Sequence, residues 1–93
     1  MIARKYYICL LSTKNYAMQV MYVLEKLGYK RFELIFTPYE IKKGCNYSIK
    51  FNNLEDLNII INEVYKLNIN IESVYSIERI NGKKVIKKIN YFI

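Results

Sequence analysis

The side chain best suited to chemistry in this chain is the thiol of Cys45. It closes the segment Thr37-Pro38-Tyr39-Glu40-Ile41-Lys42-Lys43-Gly44-Cys45. A thiolate is a nucleophile, and cationic neighbours lower the pKa of the thiol that yields it. Lys42 and Lys43 lie close by in sequence, and Gly44 and Asn46 flank the cysteine without bulk. The competing reading is an ordinary free cysteine that packs and stays inert. That reading suits Cys9, which sits between Ile8 and Leu10 in an apolar run and is expected in the core. A Cys9–Cys45 redox pair needs Cα atoms within about 7 Å, a distance that spacing alone does not supply.

Composition removes most other chemistries. The chain has no histidine, so Ser-His and Cys-His catalytic pairs are absent and the commonest metal ligand is missing. Two cysteines make neither a four-ligand zinc site nor a disulfide framework. Glu25, Glu33 and Glu40 could form a carboxylate pair only if folding brought two together, and solvated helix and loop positions explain them better. Gly28, Gly44 and Gly82 are isolated turn residues, not a phosphate-cradling loop. The expectation is a protein that is not an enzyme and holds no metal or cofactor.

The elements that must position Cys45 follow from periodicity. Lys5 to Leu11 is apolar on both faces and reads as a central strand. Ser12 or Thr13 offers an N-cap for a helix with Ala17, Val20, Met21, Leu24 and Leu27 on its apolar stripe, and Gly28 stops it. Phe32 to Phe36 is a second strand, ended by Thr37-Pro38. After the loop, Tyr47, Ile49 and Phe51 alternate with Asn46, Ser48 and Lys50, the pattern of a half-buried strand. Asn52 or Asn53 then caps a helix with Glu55 and Asp56 in its first turn and a stripe of Leu54, Leu57, Ile61, Val64 and Leu67. Asn70 to Ile80 is a fourth strand, Asn81-Gly82 a hairpin turn, and Lys84 to Ile89 a fifth strand beside the fourth.

This order predicts an α+β fold of ferredoxin-like βαββαβ topology. It has an antiparallel sheet, two helices on one face and an extra C-terminal hairpin strand. The chain of 93 residues reads as one domain, with 77–93 a terminal hairpin extension. Its 53% hydrophobic content argues for a packed interior. The longest apolar run spans about six residues, far short of the ~20 that a membrane-crossing helix needs. Nor does a small-residue cleavage site follow it, so the expected location is the cytoplasm, away from membranes.

The chain resembles the selenium/sulfur carrier protein-like family, small bacterial proteins with a strand, a Ser-Thr pair opening a helix, a glycine stop and a Thr-Pro-Arg-x-Ile-Ser-Ser-x-Cys-Gly-like loop. The matching residues are Ser12-Thr13, Ala17, Gly28, Thr37-Pro38, Ile41 and Cys45, and the resemblance runs from about residue 5 to residue 77. Tyr39 stands where the family has arginine, Lys42 and Lys43 where it has serines, and Asn46 where it has glycine. The resemblance implies that Cys45 holds a chalcogen, as a persulfide or its selenium counterpart, between donor and acceptor proteins. Thr37 and Pro38 would then set the start of the loop, and Lys42, Lys43 and Gly44 would tune and expose the thiol.

Two rival readings use other features. The net charge of +7 favours acidic partners. Lys43-Gly44 before a strand bearing Tyr47 and Phe51, with Tyr7 on the first strand, is reminiscent of an RRM, a single-stranded RNA-binding module. Cys45 and Asn46 break that signature, and the lysine clusters at 42–43 and 83–88 read first as solvated surface, so nucleic acid is disfavoured. The other rival is a homodimeric regulatory or interaction domain, suggested by the ten tyrosines.

Overall fold

The computed structural model describes residues 5–42 and 46–90. Five strands and two α-helices follow one another as β1 (Lys5–Leu11), α1 (Lys14–Lys26), β2 (Glu33–Phe36), β3 (Tyr47–Phe51), α2 (Leu57–Lys66), β4 (Ile71–Ile80) and β5 (Lys83–Ile89). The strands form one antiparallel sheet in the order β2-β3-β1-β4-β5. The fold is therefore α+β, with β1 at the centre, as its two apolar faces require.

Both helices pack on one face of the sheet. Ala17, Val20 and Leu24 of α1 and Leu57, Ile60 and Val64 of α2 form one buried cluster with Cys9 and Leu11 of β1, Ile49 and Phe51 of β3, and Val74 of β4. The alternate residues Ile8, Leu10 and Ile77 form a second cluster on the opposite face. The sheet is thus apolar on both sides at its middle strands.

Local chemistry accounts for the helix ends. The Thr13 hydroxyl accepts from the Tyr16 N–H at 3.1 Å, an N-cap bond. Past α1, the Gly28 N–H donates to Glu25 and the Tyr29 N–H to Leu24, a Schellman closure that needs the positive φ of +90° at Gly28. Asn68 does the same work for α2 at φ 61°, with the Ile69 N–H donating to Val64. The sequence pattern missed this stop because asparagine tolerates the left-handed region less conspicuously than glycine. Asn81 and Gly82, at φ 51° and 76°, make the expected hairpin turn.

Several boundaries and faces differ from expectation. Phe32 precedes β2 and is buried against Phe51 and Tyr29 instead of joining the sheet. A 3-10 turn, Leu54–Asp56, comes before α2, and Asn53 makes no side-chain cap bond. That turn winds more tightly than an α-helix. It leaves Leu54 exposed, while Ile60 is fully buried in place of Ile61. Leu27 lies just past α1 and is exposed. Ser48 and Asn46, on the polar side of the alternation in β3, are buried. No helix among the described residues is long and apolar enough to cross a membrane.

Cys9 is fully buried, and burial pushes its thiol up to about 12. At neutral pH the thiolate, which is the reactive form, is almost absent. Cys9 should therefore resist iodoacetamide in the native protein and react only after denaturant opens the core. Mass mapping of labelled peptides checks this; native labelling of Cys9 at the rate of an exposed thiol would contradict the packing.

Candidate functional site

The loop between β2 and β3 is pinned at its neck. The Thr37 N–H donates to the Asn46 carbonyl at 2.9 Å, extending the β2–β3 ladder by one step. The Thr37 and Ser48 hydroxyls meet at 2.6 Å, and both residues are buried. The Asn46 side-chain oxygen accepts from the Tyr47 N–H at 2.9 Å. Pro38 has no N–H to offer a neighbouring strand. Its carbonyl instead accepts from the Ile41 and Lys42 N–H groups at 2.9 and 3.1 Å, curling the chain into a single turn.

That turn folds back over the sheet face opposite the helices. Ile41 packs on the cluster of Ile8, Leu10 and Ile77, as does Ile86 of β5. The Glu40 carboxylate meets the Lys84 ammonium at 3.5 Å, and the Lys42 ammonium meets Glu72 at 3.3 and 3.4 Å. Glu72 sits where the β1–β4 register shifts, beside Leu11. The loop is thus an apolar anchor held between ion pairs to β4 and β5. Exposed pairs are screened by water and pay side-chain entropy, so Ile41 supplies most of the hold.

Three of the expected site residues, Lys43, Gly44 and Cys45, lie outside the described residues. Of the others, Thr37 lies at the neck and Pro38 at the start of the turn. Lys42 comes with a carboxylate, Glu72, that offsets its charge. Cys9 faces the helix side of the sheet, whereas the turn at 38–42 lies over the other side. Glu40, Ile41, Ser48, Glu72 and Lys84 hold the loop, and sequence spacing linked none of them. Their only signals were a serine on an apolar strand and an isoleucine in a charged loop.

The aromatic rings that an RNA platform would need are engaged elsewhere. Tyr7 and Phe51 stack at 5.6 Å and belong to the cluster beneath the helices, as does Tyr47. The other face is occupied by the turn at 38–42, and the Lys50 ammonium lies over Tyr6 at 4.5 Å. Among the described residues no group of three or more His, Cys, Asp or Glu side chains could hold a metal. A cavity of about 320 Å³ between the start of α2 and the end of β5 is lined mainly by Leu54, Leu57, Ile61 and Ile89, with Glu55 its one charged residue and no thiol.

A family model described as "Putative Se/S carrier protein-like" matches residues 6–76. The chain belongs to this family. The match takes in the whole β2–β3 loop and stops within β4, so the Se/S carrier-like region holds β1 to β3, both helices and the first part of β4, and leaves out β5. No curated protein and no solved structure matches the chain.

Two outcomes test the loop geometry. Ser48→Ala strands the buried Thr37 hydroxyl and should cost about 1–3 kcal/mol, whereas combining it with Thr37→Val should cost clearly less than the sum of the single changes. Urea unfolding of all three variants measures this; strict additivity would mean the hydroxyls do not interact. The second concerns acid. Glu40's own backbone N–H, and then the Lys84 ammonium, hold its carboxyl below the usual 4.5. A depressed carboxyl stabilises the folded loop above its ordinary pKa, and that stabilisation is lost as pH falls through the lower folded value. The Ile41 and Ile86 methyl resonances should shift in that acid window and stop shifting in Glu40→Gln. Identical titrations for both proteins would show that Glu40 does not fasten the loop.

Proposed function

We propose that this protein holds sulfur or selenium on Cys45 and passes it on without itself being an enzyme. The observation that carries the reading is the family match, which spans the loop containing Cys45. The described part of the loop is compatible with it: a fixed neck at Thr37 and Asn46, a turn at Pro38, and Lys42 held near the sheet. The strand order of the matched region fits a ferredoxin-like βαββαβ domain, with β5 as an addition at its edge.

The loading step is an exchange. The Cys45 thiolate attacks the terminal sulfur of a persulfide on a donor protein. One S–S bond forms as another breaks, and the donor leaves as its thiolate. The transferred sulfur keeps its oxidation state, so no oxidant is consumed. Delivery repeats the exchange with an acceptor thiolate, and a selenium atom in place of the terminal sulfur follows the same course. Lys43, two residues before the thiol in sequence, would favour the thiolate, since the charge of Lys42 is offset by Glu72, and Thr37 and Pro38 fix where the loop begins. A reducing cytoplasm suits such a thiol, since it keeps free cysteines from pairing permanently.

Intact mass spectrometry of protein purified without reductant tests the proposal. The expected result is a fraction heavier by one sulfur or selenium atom, reversed by dithiothreitol, absent in Cys45→Ala and retained in Cys9→Ala. A persistent adduct in Cys45→Ala, or none after incubation with a persulfide donor, would overturn it.

A further inference from the structure

The positive charge of this protein is unevenly placed. Residues 6–76, the family-matched part, hold eight Lys and Arg against seven Asp and Glu. Residues 77–93 hold five against one. More than half of the net +7 therefore lies in the extension, and four of its cations are lysines of β5. β5 ends the sheet and, among the described residues, pairs only with β4. Among the described residues, no strand pairs with the backbone donors and acceptors of its outer edge. Lys83 and Lys87 point to the helix side and Lys84 and Lys88 to the other, as their register with β4 dictates. All four are exposed, and only Lys84 meets a carboxylate among the described residues.

From this placement we propose that β5 accepts an acidic segment of a partner protein as a sixth strand. Main-chain bonds along the edge would supply affinity, and side-chain pairing would supply choice. Lysines ordinarily guard an edge against pairing through like-charge repulsion and the cost of desolvating them. An added strand with carboxylates opposite each lysine removes both obstacles, because directly opposed unlike charges attract. The β5 pattern, Lys-Lys-Val-Ile-Lys-Lys-Ile, selects a complementary repeat of two acids, two apolar residues and two acids. A second copy of this chain is rejected, since lysine would face lysine. Nucleic acid is the poorer fit because β5 has no aromatic ring on which bases could stack. The proposal does not depend on the chemistry of Cys45, and the variants below leave that residue and the Lys84–Glu40 contact intact.

The probe is a fluorescently labelled, end-capped peptide EEVIEEV, titrated with the full chain at about 20 mM salt, where charge contacts are weakly screened. Saturable binding is expected. It should weaken at least tenfold in the triple variant Lys83→Glu, Lys87→Glu, Lys88→Glu, and by a smaller factor in the corresponding triple glutamine variant, whose fold carries no charge reversal. Hydrogen exchange should slow at the outward amides of β5 when the peptide is bound. Absence of saturation, equal affinity in the variants, unchanged amide exchange, or tighter binding of an oligothymidine would each overturn the proposal.

Discussion

Strand β1 is apolar on both sides, and the rest of the fold follows from the need to keep water from each. A central strand whose residues at 8, 9, 10 and 11 are all buried cannot be satisfied by a single layer of helices. Helices α1 and α2 cover Cys9 and Leu11. Ile8 and Leu10 point the other way and need a separate cover, which neighbouring strands supply at the sides and Ile41 supplies from above. The connection between β2 and β3 therefore serves the core as well as joining two strands. Its position over the sheet is a hydrophobic requirement, and the ion pairs at Glu40 and Lys42 refine it.

This arrangement keeps Cys9 away from the loop segment at 38–42. Cys9 is sealed beneath helices, in surroundings that suppress its ionisation. The loop segment that leads to Cys45 runs over the opposite side, between charged residues. The proposed carrier role needs one thiol that reacts and no second thiol that competes, and a cysteine sealed in the core is consistent with that need. The same loop meets β5 through the ion pair of Glu40 with Lys84. A strand outside the family-matched region thus contributes to holding the loop at the centre of the proposed function.

Covering the second face also bears on the RNA-binding alternative. The ring pair Tyr7–Phe51 looked like a stacking platform in the sequence, but its residues have the parity of Cys9 and Ile49, which face the helices. Alternation along a strand tells which residues share a side. It does not tell which side receives the helices, since that depends on the direction of the crossover connections.

The sequence alone determined the order of strands and helices, the central place of β1, a cap at Ser12 or Thr13, the Gly28 stop and the Asn81-Gly82 hairpin. Each of these rests on a local rule of backbone conformation or on the period of a pattern. It also carried the family resemblance, through residues in the order Thr-Pro, Ile and Cys. Only the tertiary structure decided that Ser48 is buried against Thr37, that Lys42 comes with Glu72, and that Ile41 seals the far face of the sheet. Those contacts join residues 11, 30 and more than 30 positions apart in the chain. No local propensity encodes them, because they form when packing brings distant segments together.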